Sequence, residues 1–305
     1  MPDDPLATWN DGLNKQAILD FVARVTAEGG DQFVARGDRI AVFDNDGTLW
    51  CEQPLYIQLA FVLDRVRSLA PEHPEWREQQ PFQAILSNDR EALAALNKRD
   101  LAALIAATHA GITTDEFAEV VRDWIGTAKH PRFERLYKEC VYQPMLELLD
   151  YLRANGFQTW IVSGGGVDFM RVFTEAVYGI PPAQVIGSSG KVRFELRDGR
   201  PVLFKLPELS SFDDKEGKPA NIHLHVGRRP ILAGGNSDGD LAILQYTVGR
   251  DGRSLALIVD HDDAEREYAY RVSPLGQLEA ALVEAGQWGW TVVSMKDDWN
   301  RVFPN

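Results

Sequence analysis

The apolar run Ile40-Ala41-Val42-Phe43 breaks off abruptly into Asp44-Asn45-Asp46-Gly47-Thr48-Leu49, and no other stretch constrains the fold as much. Consecutive apolar residues of this kind read as a parallel strand buried on both faces. Open α/β sheets bind their ligands just beyond the carboxyl ends of such strands, so Asp44 and Asp46 stand where ligands bind. Two carboxylates this close repel each other unless a cation or phosphate chemistry uses them, because desolvating an unpaired charge is costly or raises its pKa. An ordinary Asp-Gly turn after a strand is the plain alternative; the downstream segments decide against it.

Around that run the chain alternates. Ile18, Leu19, Phe21, Val22 and Val25 recur at near-helical spacing over residues 13–27, ahead of Gly29-Gly30, and predict a leading helix. A helix at Met145–Asn155, stopped at Gly156, leads into a strand at Gln158–Val162, and strands at 191–196 and 201–205 flank Asp198-Gly199 as a hairpin. Strands at Pro230–Ala233, Leu255–Val259 and Thr291–Ser294 are separated by helices at Leu241–Thr247 and Pro274–Ala285. This rhythm predicts an α/β fold with a doubly wound parallel sheet. Residues 54–141 interrupt it with helical runs such as 55–63 and 91–96 and no convincing strand, which predicts an all-helical insert of about four helices. The expected organisation is a core of residues 1–53 and 142–305 around an insert of 54–141. A chain of 305 residues has the length for a large domain plus an insert.

Three later segments carry chemistry. Ser163-Gly164-Gly165-Gly166 follows a strand and precedes a helix from about Val167; a hydroxyl and free backbone N–H groups there make an anion site that glycines let a phosphate approach. Lys218 precedes Pro219, which suits a first helical turn, and a lysine so placed neutralises a bound phosphate; Lys215 competes for that role. Gly234-Gly235-Asn236-Ser237-Asp238-Gly239-Asp240-Leu241 follows another strand, again where ligands bind.

In this order the four segments, spanning residues 44–240, resemble the four motifs of the haloacid dehalogenase (HAD) superfamily. The resemblance implies a HAD-like, Rossmann-like core with the helical segment as a cap that closes over the site and carries specificity. It implies Asp44 as nucleophile, Asp46 as general acid and base, and phosphate contacts from Thr48, Ser163, Gly164 and Lys218. Lys218 is preferred to Lys215 because Ile222, four positions on, resembles the family's lysine-to-helix spacing. The implied cofactor is Mg²⁺, held by Asp44, Asp46, Asn236 and Asp240. Asn236 stands where the family has its first acidic residue; an amide oxygen suits a hard cation at the loss of one charge, which Asp238 restores directly or through water. The Ser-Gly-Gly form and the position of the insert look like phosphoserine phosphatases, in which a Glu just past the first motif recognises the substrate amine. Glu52 and Gln53 lie in that area, with Gln53 nine positions after Asp44, and Trp50 is close enough to line the cleft.

The implied activity is Mg²⁺-dependent hydrolysis of a small-molecule phosphomonoester through an aspartyl-phosphate on Asp44. Asp46 argues against dehalogenation, and the absence of Asp-Lys-Thr-Gly argues against an ion-pumping ATPase. Transfer to a second alcohol, by a phosphotransferase or phosphomutase, and a catalytically weak phosphate-binding regulatory module are the alternatives. A net charge of -13 argues against sequence-independent nucleic-acid binding. With no 18-residue apolar stretch and no basic, apolar leader at Met1-Pro2-Asp3-Asp4-Pro5, the expectation is a cytoplasmic chain away from the membrane, or a periplasmic one whose signal has been removed. Cys51 and Cys140 are too few for a disulfide framework and read as packed thiols.

Other chemically suggestive residues read more plainly. His223 and His225, two apart on a helix, face different ways and do not share a metal. Asp260-His261-Asp262-Asp263 follows a strand and reads either as a border of the site facing a cationic substrate group or as the acidic start of a helix. Trp288 and Trp290 read as packing residues.

Overall fold

The computed structural model describes residues 4–272 and 276–305. Helix α1 (Leu13–Thr26) precedes β1 (Ile40–Phe43), and then come α2 (Ile57–Leu69), α3 (Phe82–Leu86), α4 (Arg90–Ala94), α5 (Lys98–His109) and α6 (Thr114–Ile125). The α/β alternation resumes with α7 (Gln143–Ala154), β2 (Gln158–Gly166), α8 (Val167–Met170), α9 (Thr174–Tyr178), β3 (Val185–Arg197), β4 (Arg200–Ser211) and α10 (Gly217–His225). The chain continues through β5 (Leu232–Gly235), α11 (Leu241–Val248), β6 (Leu255–Asp262), β7 (Ala269–Tyr270), α12 (Ala280–Trp288), β8 (Thr291–Ser294) and α13 (Met295–Asp298).

The sheet is the doubly wound one that the alternation predicts. β1 lies at its centre, parallel to β2 and β5; β3, β6 and β8 extend it in parallel, and β4 and β7 add antiparallel strands. Phe43 pairs with Ile161 on one side and Gly234 on the other. Asp44, Ser163 and Asn236 therefore leave the sheet together at one edge, at the strand-order reversal where such sheets bind ligands. Along β1 the side chains alternate: Ala41 and Phe43 join one apolar cluster, while Ile40 and Val42 join the other.

The helical segment holds five α-helices where about four were expected, and among the described residues it contains no strand. Capping boxes start α5 (Asn97 with Asp100) and α6 (Thr113 with Glu116), each satisfying otherwise orphaned N–H groups. Phe61, Phe117 and Val121 from these helices share a continuous apolar cluster with Phe43, Leu148 and Phe169, and the Phe61 and Phe169 rings stand 5.3 Å apart. The helices thus pack through α6 against α8 and through α5 and α6 against β4.

The hairpin departs most from the sequence reading. The expected strands at 191–196 and 201–205 are only its outer half, because β3 begins as a core strand parallel to β2 and runs on past it. Gly187-Ser188-Ser189-Gly190 has the composition of a turn but is extended within β3. The absence of a side chain at Gly187 lets the Gly165 carbonyl and Met170 approach. The hairpin leans on the helices: Thr113 bridges to Phe204, and buried Lys205 lies 4.6 Å from the Phe117 ring centroid while pairing with Asp168. β2 runs to Gly166 and not to Val162, and α12 starts at Ala280, its expected start Pro274 lying outside the described residues. Trp290 is buried, as a packing role implies, whereas Trp288 is half-exposed. Among the described residues no helix is long and apolar enough to cross a membrane.

Candidate active site

Asp44 continues the β1 ladder, its N–H donating to the Gly234 carbonyl at 3.0 Å. Its carboxylate forms part of the wall of a cavity of about 610 Å³, to which Asp46, Glu52, Ser163, Gly164 and Lys218 also contribute. Lys218 is buried near the start of α10, with its Nζ 2.6 Å from Asp240 Oδ1 and 3.0 Å from Asp44 Oδ1. Apart from this ion pair, buried Asp44 Oδ1 has no hydrogen-bond partner. Lys215 is exposed at the cavity wall, and it is Lys218 that reaches Asp44.

The electrostatics are those of an anionic site short of cations. Burial raises the Asp44 carboxyl above its usual range, opposed by Lys218. Asp46 is raised to about 7 by burial and then by the charge on Asp44, and Glu52 is raised to about 7 chiefly by burial. Burial alone would depress the Lys218 ammonium, but Asp240 and Asp44 together hold it above its usual value. Perturbed carboxyls gathered in one cleft mark a functional site.

Ser163 is buried, and its Oγ accepts the Gly165 N–H at 3.3 Å. Between Ser163 and Gly166 the β2–β3 register slips, so the glycines bulge toward the cavity, and α8 follows from Val167 as expected. Gln58 of α2 fastens this bulge by accepting the Gly166 N–H at 2.7 Å, a link that no motif reveals.

Several of the expected site residues meet protein partners that motif spacing does not show. Thr48, expected on phosphate, is fully buried and donates to Asn236 Oδ1 at 3.1 Å, so it orients the amide. Asp240, expected on the metal, is also fully buried: Oδ1 takes Lys218, while Oδ2 accepts the N–H groups of Asn236 and Ser237 and the Ser237 hydroxyl. Its place is beneath Lys218. Asp238 lines the cavity wall, but its carboxylate accepts the Ala280 and Ala281 N–H groups at the start of α12.

The candidate specificity residues also divide. Trp50 is buried and does not line the cleft; its indole N–H donates to Asp46 Oδ1 at 2.8 Å, and its ring stacks on Phe173 at 4.8 Å. Gln53 is not among the cavity-lining residues, and its backbone carbonyl contacts His130. Glu52 does line the cavity, and its Oε1 accepts the Tyr270 hydroxyl at 2.8 Å and the Asn236 amide at 3.3 Å.

Within the 260–263 segment the aspartates turn away: Asp260 pairs with Arg271, Asp262 takes Ser294 and the Lys296 N–H, and Asp263 pairs with Arg266. His261 does matter. It is buried, with Nε2 2.8 Å from the Gly47 carbonyl and Nδ1 3.2 Å from Glu267, and that carboxylate holds the imidazole above its usual pKa against the effect of burial. Gly47 has φ 72°, and a Cβ there would strike the Asn236 amide, so only glycine lets the first and fourth segments touch. Cys51 and Cys140 are buried free thiols. His223 and His225 are exposed on α10. Among the described residues no group of three His, Cys, Asp or Glu side chains is arranged for a metal.

The sequence matches the haloacid dehalogenase-like hydrolase family over residues 41–245, more than half of the chain, and the chain belongs to that family. It is a hydrolase of this family. In fold it is similar to a conserved functionally unknown protein from Anaerococcus prevotii DSM 20548, with a TM-score of 0.59 and 17% identity over 92% of this chain and 91% of that one. A protein with unknown function from Bordetella pertussis Tohama I gives a TM-score of 0.51 at 17% identity, over 84% of this chain and 97% of that one. No curated protein matches the sequence.

Proposed function

We propose that this hydrolase cleaves a small-molecule phosphomonoester through a covalent phosphate on Asp44. The observation that carries the reading is the Asp44–Lys218 pair at the end of the central strand: a carboxylate with one buried oxygen lacking a hydrogen-bond partner, 3.0 Å from a buried ammonium. An Asp44 oxygen attacks phosphorus as the ester P–O bond breaks, and Asp46 delivers its proton to the departing alkoxide. Asp46 then removes a proton from water, whose oxygen attacks the same phosphorus, releasing phosphate and restoring Asp44. Ser163, Gly164 and Lys218 offset charge on the phosphoryl oxygens. A carboxyl raised to about 7 suits Asp46 to giving and taking a proton near neutrality.

The donor set suits Mg²⁺. The buried Asp44 Oδ1 and the Asn236 Oδ1, which keeps a lone pair beyond its Thr48 contact, are hard oxygen ligands in a site with excess negative charge, and Asp46 keeps its carboxyl for the proton. Bound there, the ion supplies charge neutralisation between the carboxylates and an incoming phosphate. Residues 54–141 serve in this reading as the cap that excludes water and contacts the alcohol.

Purified protein is expected to release phosphate from nitrophenyl phosphate with Mg²⁺ and to stop when the ion is chelated. Absence of phosphate release at every Mg²⁺ concentration would falsify the proposal.

Trp50 acts through Asp46. Its N–H holds the Asp46 carboxyl in place, so Trp50→Phe is expected to lower kcat/KM for an alkyl phosphate by about 10-fold or more. A nitrophenyl ester, whose leaving group needs no proton, is expected to lose much less. The measurement is the ratio of the two losses, and equal losses would show that Trp50 merely supports the fold.

A further inference from the structure

The cavity over Asp44 has a second wall of different character. Leu59 and Val62 of α2 stand three apart and Leu101 and Ile105 of α5 four apart, spacings that put each pair on one helix face, and both faces line the cavity. Phe212, just beyond β4, lines it as well. Ile105 is 39% and Phe212 60% exposed, so large apolar surface stays wet at a concave site. Removing such surface from water is favourable, and pockets of this kind bury apolar ligand bodies.

Charge narrows the choice. Among the described lining residues the carboxylates are Asp44, Asp46, Glu52, Asp214 and Asp238, whereas the cations are Lys215 and Lys218. Lys218 is already engaged by Asp44 and Asp240. A second phosphate or a carboxylate on the alcohol would meet net repulsion and one exposed lysine.

We propose that the substrate is the phosphomonoester of an apolar alcohol, aliphatic or aryl, whose body lies against α2, α5 and Phe212 while its phosphate sits between Asp44 and Ser163. This rests on the phosphohydrolase reading and adds the substrate class to it. Binding energy from a remote part of a substrate raises kcat/KM. Burying one methylene is worth ~0.8 kcal/mol, or about 4-fold.

The test compares kcat/KM for ethyl, butyl and hexyl phosphate, phosphoserine and phosphoethanolamine, with wild type and Ile105→Asn. The expected hexyl-to-ethyl ratio is on the order of 100 in wild type, with phosphoserine and phosphoethanolamine below butyl phosphate, and Ile105→Asn is expected to shrink the ratio several-fold. Using a ratio within each enzyme separates specificity from general damage. A protein that hydrolyses none of the esters overturns the phosphohydrolase reading itself. Hydrolysis with a flat chain-length profile, a preference for phosphoserine or for phosphoethanolamine, whose ammonium the wall carboxylates would attract, or a ratio untouched by Ile105→Asn overturns the apolar-alcohol assignment alone.

Discussion

Replacing Asp44 with Asn is expected to lower phosphate release by about four to six orders of magnitude, the scale on which removing a covalent nucleophile acts. The amide keeps the shape of the side chain but cannot form the acyl-phosphate bond. The fold should survive. Lys218 retains Asp240 at 2.6 Å, and burial already disfavours the charged form of Asp44, so a neutral group suits the site. Unfolding temperature no lower than wild type, together with turnover at background, is the expected pair of measurements. Substantial hydrolysis of any ester by the purified Asp44→Asn protein would rule out covalent attack by this residue.

The sequence shows where the chemistry gathers better than how each side chain is used. β1 is legible because four apolar residues running straight into paired carboxylates suit a buried strand that ends at a ligand site and little else, and β8 is legible to the residue at Thr291–Ser294. Motif spacing places Asp44, Ser163 and Lys218 at neighbouring strand and helix ends because a parallel sheet aligns those ends. Spacing does not say which way a carboxylate oxygen points. Asp240 lies in the expected loop, yet its oxygens turn inward to Lys218 and to backbone N–H groups. Thr48 holds Asn236 for the same kind of reason: its direction depends on a partner 188 positions away. His261 stands in view as one residue of an acidic run, but its contact with Gly47 joins segments separated by 214 positions. No local pattern encodes such a contact. The hairpin reads short because Gly187-Ser188-Ser189-Gly190 has the composition of a turn, and tertiary pairing with β2 keeps it extended.

Asp240→Ala is expected to produce the largest loss of stability in the site. The Lys218 and Asp240 side chains are 3% and 0% exposed, so removing the carboxylate leaves a buried ammonium with Asp44 as its remaining ion-pair partner, and it strips acceptors from the Asn236 and Ser237 N–H groups. Breaking one side of a buried pair costs ~3–5 kcal/mol, which for a chain of this size lowers Tm by about 5–8 °C. Pairing that change with Lys218→Met removes the stranded charge. The double variant should therefore be more stable than Asp240→Ala alone, although both lack activity. Thermal unfolding of the two proteins separates this arrangement from a metal-ligand role for Asp240. A ligand role predicts wild-type stability for Asp240→Ala in chelator and no recovery in the double variant, whereas a buried pair predicts the loss and its partial recovery whether or not Mg²⁺ is present.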